Sequence, residues 1–311
     1  MLSRVADSLY WMSRYMERAD GILRMLKINY ASSQDDIQEF SWKPVLKIFT
    51  FLNDEEAEAL ANNTRGVLQF MVTDKENPNS VLNIVTQARE NGRSVQDHIT
   101  KEMWQCLNDF YHTIRQEKLI DLLQKEDPIS VLDTLIKQGL LYFGTTDVTM
   151  ARGEGNSFIN IGKFLERAKQ SADILDIKFS DLNYDLDKPT DTTYWKYLLM
   201  SISGYELYLK TYRSGFSAKN VMEQIILNDN FPRSVIYSIN QLHRYFERLK
   251  NEKNITGFNQ INFMIGKVKS KIKFTTTDAI INEGLHHFLT DIKVALYEIG
   301  NTLNQNYFAH S

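Results

Sequence analysis

Residues that break helices are scarce in this chain, and they stand where a helix can begin or a linker can lie. There are 5 prolines and 14 glycines among 311 residues. Pro44, Pro128 and Pro232 each stand at the start of an apolar, periodic stretch, where the missing N–H of proline is not needed. No segment shows the sustained alternation of apolar and polar residues that is typical of a half-buried strand. The sequence therefore predicts an all-α fold.

The spacing of apolar residues predicts a multi-helix bundle of about ten to twelve helices with short connections, so that neighbouring helices pack antiparallel. Two stretches, 144–155 and 180–192, are predicted to be irregular because glycine or polar residues dominate them. We expect one helical domain over 1–311, with a subdivision near 144–156 into two related halves as the variant. The predicted helices are 2–31, 42–52, 54–72, 79–97, 99–125, 129–143, 157–179, 191–213, 218–228, 233–252, 258–273 and 276–307.

Composition and charge exclude several classes of function. The formal net charge of −3 argues against a general nucleic-acid binder, which normally carries a basic excess. The single cysteine, Cys106, excludes an internal disulfide and a cysteine-based zinc site. The N-terminus lacks the apolar segment of a signal peptide, and no apolar run approaches the roughly 20 residues that a membrane span needs. We expect a cytoplasmic protein with no nucleic-acid or membrane partner.

A six-residue phrase occurs three times, as Arg14–Ala19, Lys163–Ala168 and Arg244–Leu249. Its pattern is a base, an aromatic residue, an apolar residue, Glu, Arg, and then a small or aliphatic residue. The residue four before the glutamate is small in the first two copies, Ser13 and Gly162. A carboxylate with a small neighbour is either open to a partner or close to another helix backbone. The third copy has His243 at that place, which favours a role in helix packing.

Two interpretations of the Glu-Arg pairs remain open. In the first, the pairs form a structural salt-bridge network inside the bundle, whose interruption costs roughly 3–5 kcal/mol. In the second, they line a polar cleft in which arginine binds a carboxylate or phosphate through two parallel hydrogen bonds. Arg14 and Arg18 are four residues apart and share a helix face, where they repel each other unless acids or an anion lie over them.

Further arginines extend the candidate set. Arg89 and Arg93 share a helix face and form either a solvated surface or a second arginine pair around one anion. Arg152 opens a glycine-rich turn before a helix, where free N–H groups suit phosphate or carboxylate, although a simple turn is the alternative. Arg233 follows Pro232 at a helix start. We expect no cofactor and no metal: the spacing of Glu283 and His286 matches di-iron bundles but occurs in one copy only.

Longer motifs give the chain a resemblance to a family. It resembles the bacterial alpha-E domain family, long regarded as a domain of unknown function, over nearly its full length and in the right order of motifs. The departures are mild: Gly92 stands where the family commonly has Ala, and Lys169 where it has an acidic residue. The motifs that carry the resemblance are 1–20, 88–95, 102–104, 161–168, 205–206 with Tyr208, 212–213 and 231–235.

The resemblance implies an all-helical protein that works in the company of ATP-grasp ligases and transglutaminase-like proteins, in making or processing a peptide or amide-linked product. It gives no residue a settled catalytic role. The positions that match the family signature are Arg14, Glu17, Arg18, Arg89, Arg93, Glu166, Arg167 and Arg233.

Three hypotheses follow. The first is an accessory protein, without catalysis of its own, that binds an anionic peptide or small molecule in an Arg/Glu-lined cleft beside an ATP-grasp ligase. The second is an enzyme in peptide or amide-bond chemistry, with Glu17 or Glu166 as general base and arginines stabilising developing negative charge. The third is a structural scaffold with a buried Glu-Arg network. We favour the first, because no recognisable catalytic constellation accompanies the arginines.

Overall fold

A computed structural model describes residues 1–34, 41–125, 127–186, 192–250 and 254–308, and in this part of the chain the regular structure is helical, with sixteen α-helices and no strand. A 3-10 turn, Gln96–His98, and a π-helical turn, Asn304–Phe308, complete it. The α-helices are α1 (Ser3–Gln34), α2 (Lys43–Phe49), α3 (Asp54–Ala61), α4 (Thr64–Val72), α5 (Val81–Ser94), α6 (Lys101–Ile114), α7 (Glu117–Lys125), α8 (Pro128–Thr149), α9 (Glu154–Ser180), α10 (Thr192–Ser201), α11 (Tyr205–Thr211), α12 (Ala218–Ile226), α13 (Val235–Glu247), α14 (Ile255–Lys273), α15 (Thr277–Glu283) and α16 (Leu285–Leu303).

The all-α prediction is confirmed, but the predicted number of helices is wrong because several long helices are interrupted. Gly284 has φ of 93° and separates α15 from α16 within the predicted helix 276–307. Ser203, with φ of 56°, likewise separates α10 from α11. Such left-handed positions end a helix. Asn63 starts α4 by accepting a hydrogen bond from the Gly66 N–H. Apolar periodicity continues across these breaks, so it does not reveal them.

The stretch 144–155 is less irregular than predicted. Helix α8 runs through Gly144 to Thr149, and α9 already begins at Glu154, so only the residues between them are non-helical. In the other irregular stretch, α9 ends at Ser180 and α10 begins at Thr192, while 187–191 lie outside the described residues. Glycine in a helix interior costs stability but does not by itself end the helix.

The chain divides into two compact units. The N-terminal unit comprises 11–151, and the C-terminal unit comprises 1–10 together with 152–311. Helix α1 contributes its first turns to the C-terminal unit and the rest to the N-terminal unit. The boundary between 151 and 152 falls in the short connection between α8 and α9.

The N-terminal unit is built around α6, which packs against α5 and α8. Its core contains the fully buried side chains of Met12, Leu107 and Leu132. Gly92 on α5 lets α6 approach closely, because a Cβ atom there would lie 2.6 Å from Cδ1 of Leu107. The Lys27 ammonium donates to the Asp133 carboxylate at 2.6 Å and joins α1 to α8 at the edge of this core. The unit therefore rests on apolar burial, with ion pairs at its rim.

The C-terminal unit is organised around α9, which α13 and α16 contact along its length and α12 contacts at one side. Most of α9 is buried, including Phe164, Ala168 and Leu175. Gly162 gives the first turns of α1 room, since a Cβ there would overlap the backbone carbonyl of Tyr10. The small residue four before Glu166 thus serves a close approach of two helix backbones.

Replacing Gly162 by alanine is therefore expected to destabilise the protein by about 1–3 kcal/mol, because the added methyl group must displace a backbone carbonyl rather than a mobile side chain. Gly144 is the matched control: it also lies inside a helix, but a Cβ there has nothing within 4 Å. Gly144→Ala should instead stabilise by roughly 0.5–1 kcal/mol. Urea unfolding of both variants measures the difference, and equal effects would contradict the proposed backbone contact.

Candidate functional site

The glutamates of the first two phrases are among the most buried charged residues of the chain. Glu17 on α1 is 0% exposed and Glu166 on α9 is 2% exposed. Glu17 belongs to the N-terminal unit and Glu166 to the C-terminal unit. A carboxylate removed from water is costly unless it is paired or hydrogen-bonded. Each unit thus carries one buried signature carboxylate.

In the N-terminal unit, a polar stripe on α1 surrounds Glu17. Ser13 and Asp20 on the same helix are also buried. Arg24 donates to the Asp20 carboxylate at 2.8 Å. The guanidinium of Arg14 lies 4.6 Å from the centre of the Trp11 ring, an arrangement typical of a cation–π contact. Arg18 is half-buried on this helix.

Arg89 and Arg93 share the carboxylate of a neighbour in the sequence. The carboxylate of Glu90 accepts from Nη1 of Arg89 at 2.7 Å and from Nε of Arg93 at 2.7 Å. Arg89 also donates to Asn108 and lies 4.7 Å from the centre of the Tyr111 ring. The anion between this arginine pair is therefore a side chain of the protein itself. The sequence interpretation missed Glu90 because adjacent residues on a helix point in different directions.

In the C-terminal unit, the second phrase holds the segment that contains Arg233. Arg167 donates to the Pro232 carbonyl at 3.2 Å, and the hydroxyl of Ser171 donates to the Arg233 carbonyl at 2.7 Å. Directly after it, Ser234 caps α13. Two family motifs that are far apart in sequence thus meet here, and Arg167 has at least one structural duty.

The third phrase packs on the second. The rings of Phe164 and Tyr245 are stacked, with centres 6.0 Å apart and planes 14° apart. In both phrases the arginine lies over the aromatic ring three residues earlier: Arg167 is 5.3 Å from the Phe164 ring centre, and Arg248 is 5.0 Å from that of Tyr245. The repeated pattern therefore produces a repeated local geometry on α9 and α13.

The turn that contains Arg152 differs from the anion-binding turn considered from the sequence. Arg152 is exposed, and α9 begins at Glu154, whose carboxylate accepts from the Met1 ammonium at 2.8 Å. An acidic residue of the chain therefore lies in the first turn, where the helix dipole favours negative charge. One turn further, Asn156 is 1% exposed, and neither atom of its side-chain amide has a hydrogen-bond partner among the described residues.

Sequence reasoning also missed a polar cluster around Asp176 on α9. Its carboxylate accepts from Lys293 at 2.6 Å, from the Tyr184 hydroxyl at 2.8 Å and from Nδ1 of His286 at 2.9 Å. Burial raises the pKa of Asp176, but these three hydrogen bonds outweigh burial and the net pKa is below its usual value. The cluster ties α9, the turn after it and α16 together.

Glu283 and His286, which have di-iron spacing, have separate partners. Glu283 accepts from Lys271 at 2.9 Å, whereas His286 faces Asp176. Glu283, His287 and Asp291 do lie within metal-ligand reach of one another, but the Lys271 ammonium also donates to Asp291 at 2.7 Å. A lysine is therefore already hydrogen-bonded to two of these three groups.

Comparison with known families explains the repeated phrase. A family model described as a predicted alpha-helical domain with a conserved ER motif, named Alpha-E, matches residues 1–308. The chain belongs to the Alpha-E family. Glu17-Arg18, Glu166-Arg167 and Glu247-Arg248 are the Glu-Arg dipeptides of this Alpha-E chain.

Curated relatives of the Alpha-E chain are uncharacterised mycobacterial proteins. One from Mycobacterium bovis is 21% identical over 98% of this chain and 37% of the relative. One from Mycobacterium tuberculosis H37Rv is 20% identical with the same two shares. The chain thus spans little more than a third of these relatives. No solved structure matches it, and none of the described helices has the length and apolarity needed to cross a membrane.

The Asp176 cluster predicts a pH-dependent stability. Because the folded-state pKa of Asp176 is lowered, its contribution is present above the unfolded value near 4 and is lost as pH falls through the folded value. Asp176→Asn should cost about 1–3 kcal/mol at neutral pH and progressively less as the pH falls below about 4.

Asp173→Asn is the control for this prediction, since Asp173 lies one turn earlier on α9, takes its close contact from Lys169 at 2.6 Å and reaches Lys293 only at 3.9 Å. Its cost should stay below about 1 kcal/mol. Chemical unfolding across this pH range measures the loss in free energy of unfolding for both variants. A loss in Asp176→Asn that does not change with pH would contradict the assignment.

Proposed function

We propose that this Alpha-E protein is an accessory protein that binds an anionic peptide, amino acid or phosphorylated intermediate for an ATP-grasp ligase, in a system that includes a transglutaminase-like protein. The ligand is bound within one unit by signature residues of the Arg/Glu set, and in the C-terminal unit Arg167 is the residue expected to contact it. That set comprises Arg14, Glu17, Arg18, Arg89, Arg93, Arg152, Glu166, Arg167 and Arg233.

The observation that carries the proposal is the burial of Glu17 and Glu166, each next to an arginine. Stability does not require such pairs, because well-packed apolar residues of similar volume are often as stabilising or more so. Buried ionisable groups that are costly for folding are typical of sites that do something else. Arg167 is held in place by its hydrogen bond to the Pro232 carbonyl, and a fixed guanidinium suits bidentate binding of an anion.

The buried amide of Asn156 adds support in the C-terminal unit. A buried polar group without a partner costs roughly 1–3 kcal/mol, so such a group needs an explanation such as a bound ligand or water. At 100° per residue, Asn156 lies on the same face of α9 as Lys163 and Arg167. A donor, an acceptor and two cations therefore share one polar face of this central helix.

The relatives are longer than this chain, and this supports a role beside a partner protein. In the mycobacterial proteins, the region similar to this chain occupies 37% of the polypeptide. There it is covalently joined to a larger remainder. An accessory role next to another protein module is the function that such an arrangement favours.

Isothermal titration of the full chain with acidic peptides, nucleotides and a purified ATP-grasp ligase tests the proposal. Arg167→Ala should weaken binding of the anionic ligand at least about tenfold, since a charge-assisted hydrogen bond contributes about 1.5–3 kcal/mol. Lys101→Ala, an exposed change on α6, is the control and should have no effect. No binding by the unmodified protein to any of these partners would refute the proposal.

The enzyme hypothesis makes a different prediction for the glutamates. If Glu17 or Glu166 is a general base, its replacement by glutamine should abolish turnover of an amide or peptide substrate while leaving binding largely intact. For an accessory or scaffold role, the same replacement changes binding or melting temperature, and there is no turnover to lose. The exposed Glu55→Gln is the control for both measurements.

A further inference from the structure

The second and third phrases together form a basic surface, which we call the α9–α13 patch. It consists of the exposed Arg244 and Arg248 of the third phrase and, on α9, of the half-buried Lys163 and the largely buried Arg167, placed around the stacked rings of the two phrases. Each cation lies between 5.0 and 5.9 Å from one ring centre, and the two ring centres are 6.0 Å apart. Each cation is therefore held against one ring of the stacked pair, which gathers positive charge on two neighbouring helices.

The α13 side of the patch has no counter-charge in the described residues. Arg244 and Arg248 are both exposed, and no carboxylate of the described chain lies within 4 Å of either guanidinium. The nearest acid in sequence, Glu247, faces His243 at 3.7 Å. Two arginines four residues apart on a helix repel each other, so an anion that covers both is stabilising. Because the whole chain has a net charge of −3, its composition does not account for this cluster of positive charge.

The arrangement of the cations in the patch favours an extended anion over a small one. A small anion is bound where donors converge on one point, usually in a concave pocket. Here the cations stand in two pairs on two helices, on either side of the ring pair. Several carboxylates spaced along an extended chain fit this arrangement, and each can take two parallel hydrogen bonds from an arginine.

The aromatic rings argue against single-stranded nucleic acid. Base stacking requires an open ring face, but Phe164 is only 6% exposed and its ring is stacked on Tyr245. Tyr245 and Tyr237 are half-buried, and the apolar part of a peptide side chain can pack on what remains exposed of them.

We infer that the α9–α13 patch docks an acidic polypeptide segment of a partner protein. The inference goes beyond the proposed ligand site, because Arg244 and Arg248 are not among the residues of that site. It gives the third phrase, in which only helix packing was expected, a role in binding. The shared residue is Arg167, so experiments on the patch use the α13 arginines.

The test is fluorescence anisotropy of a labelled octaglutamate peptide with the full chain at about 50 mM and about 150 mM salt. We expect saturable binding that weakens as salt rises. The double variant R244E/R248E should lose at least about tenfold in affinity. The control K101E/K118E makes the same change in net charge at two exposed positions of the N-terminal unit, and it should stay within about twofold of the unmodified chain.

Three results would overturn the inference: no binding of octaglutamate, an equal loss in the control variant, or equally tight binding of an RNA oligonucleotide or of phosphatidylserine vesicles. If R244E/R248E does not fold, R244Q/R248Q provides the same comparison without reversing charge. Calorimetric titration of a small anion separates the two proposals. Because the ligand site is separate from the α13 arginines, binding of the small anion should survive in R244E/R248E. Arg167→Ala should weaken the binding of the small anion.

Discussion

A carboxylate inside a helical bundle must be compensated, and this requirement shapes both units of the protein. Glu17 and Glu166 each occupy a position on a long helix where an apolar side chain would fold more cheaply. The same helices carry further buried polar groups, such as Ser13 one turn before Glu17 on α1 and Asn156 in the first turn of α9. The two long helices thus combine apolar seams with buried polar positions that ordinary core packing does not need.

The Glu-Arg phrase performs more than one task. In its second copy, the largely buried Arg167 donates to the carbonyl of Pro232, two residues before Ser234, which caps α13. The aromatic residue of that copy stacks on the aromatic residue of the third, so the phrase also forms a helix–helix contact. A signature residue such as Arg167 can therefore make structural contacts and also take part in binding.

Charges that looked alike in the sequence have different environments in the structure. Arg89 and Arg93 share the carboxylate of Glu90, while Arg244 and Arg248 have no carboxylate of the described chain within reach. The first pair has a carboxylate partner within the protein, whereas the second pair can bind an anionic group of another molecule. An accessory protein needs surfaces of the second kind, because a ligand or partner must supply the missing charge.

The sequence by itself determined the helical class, the family and the positions of the phrases, because apolar periodicity and local motifs are properties of neighbouring residues. It did not give the number of helices, since breaks at Ser203 and Gly284 depend on left-handed backbone angles that leave the apolar pattern intact. Only the tertiary structure decided which charges meet. The gathering of Tyr184, His286 and Lys293 on Asp176 joins residues up to 117 positions apart, and Gly162 is small because of the distant Tyr10 carbonyl. Such contacts arise from the packing of whole helices, which no local pattern encodes.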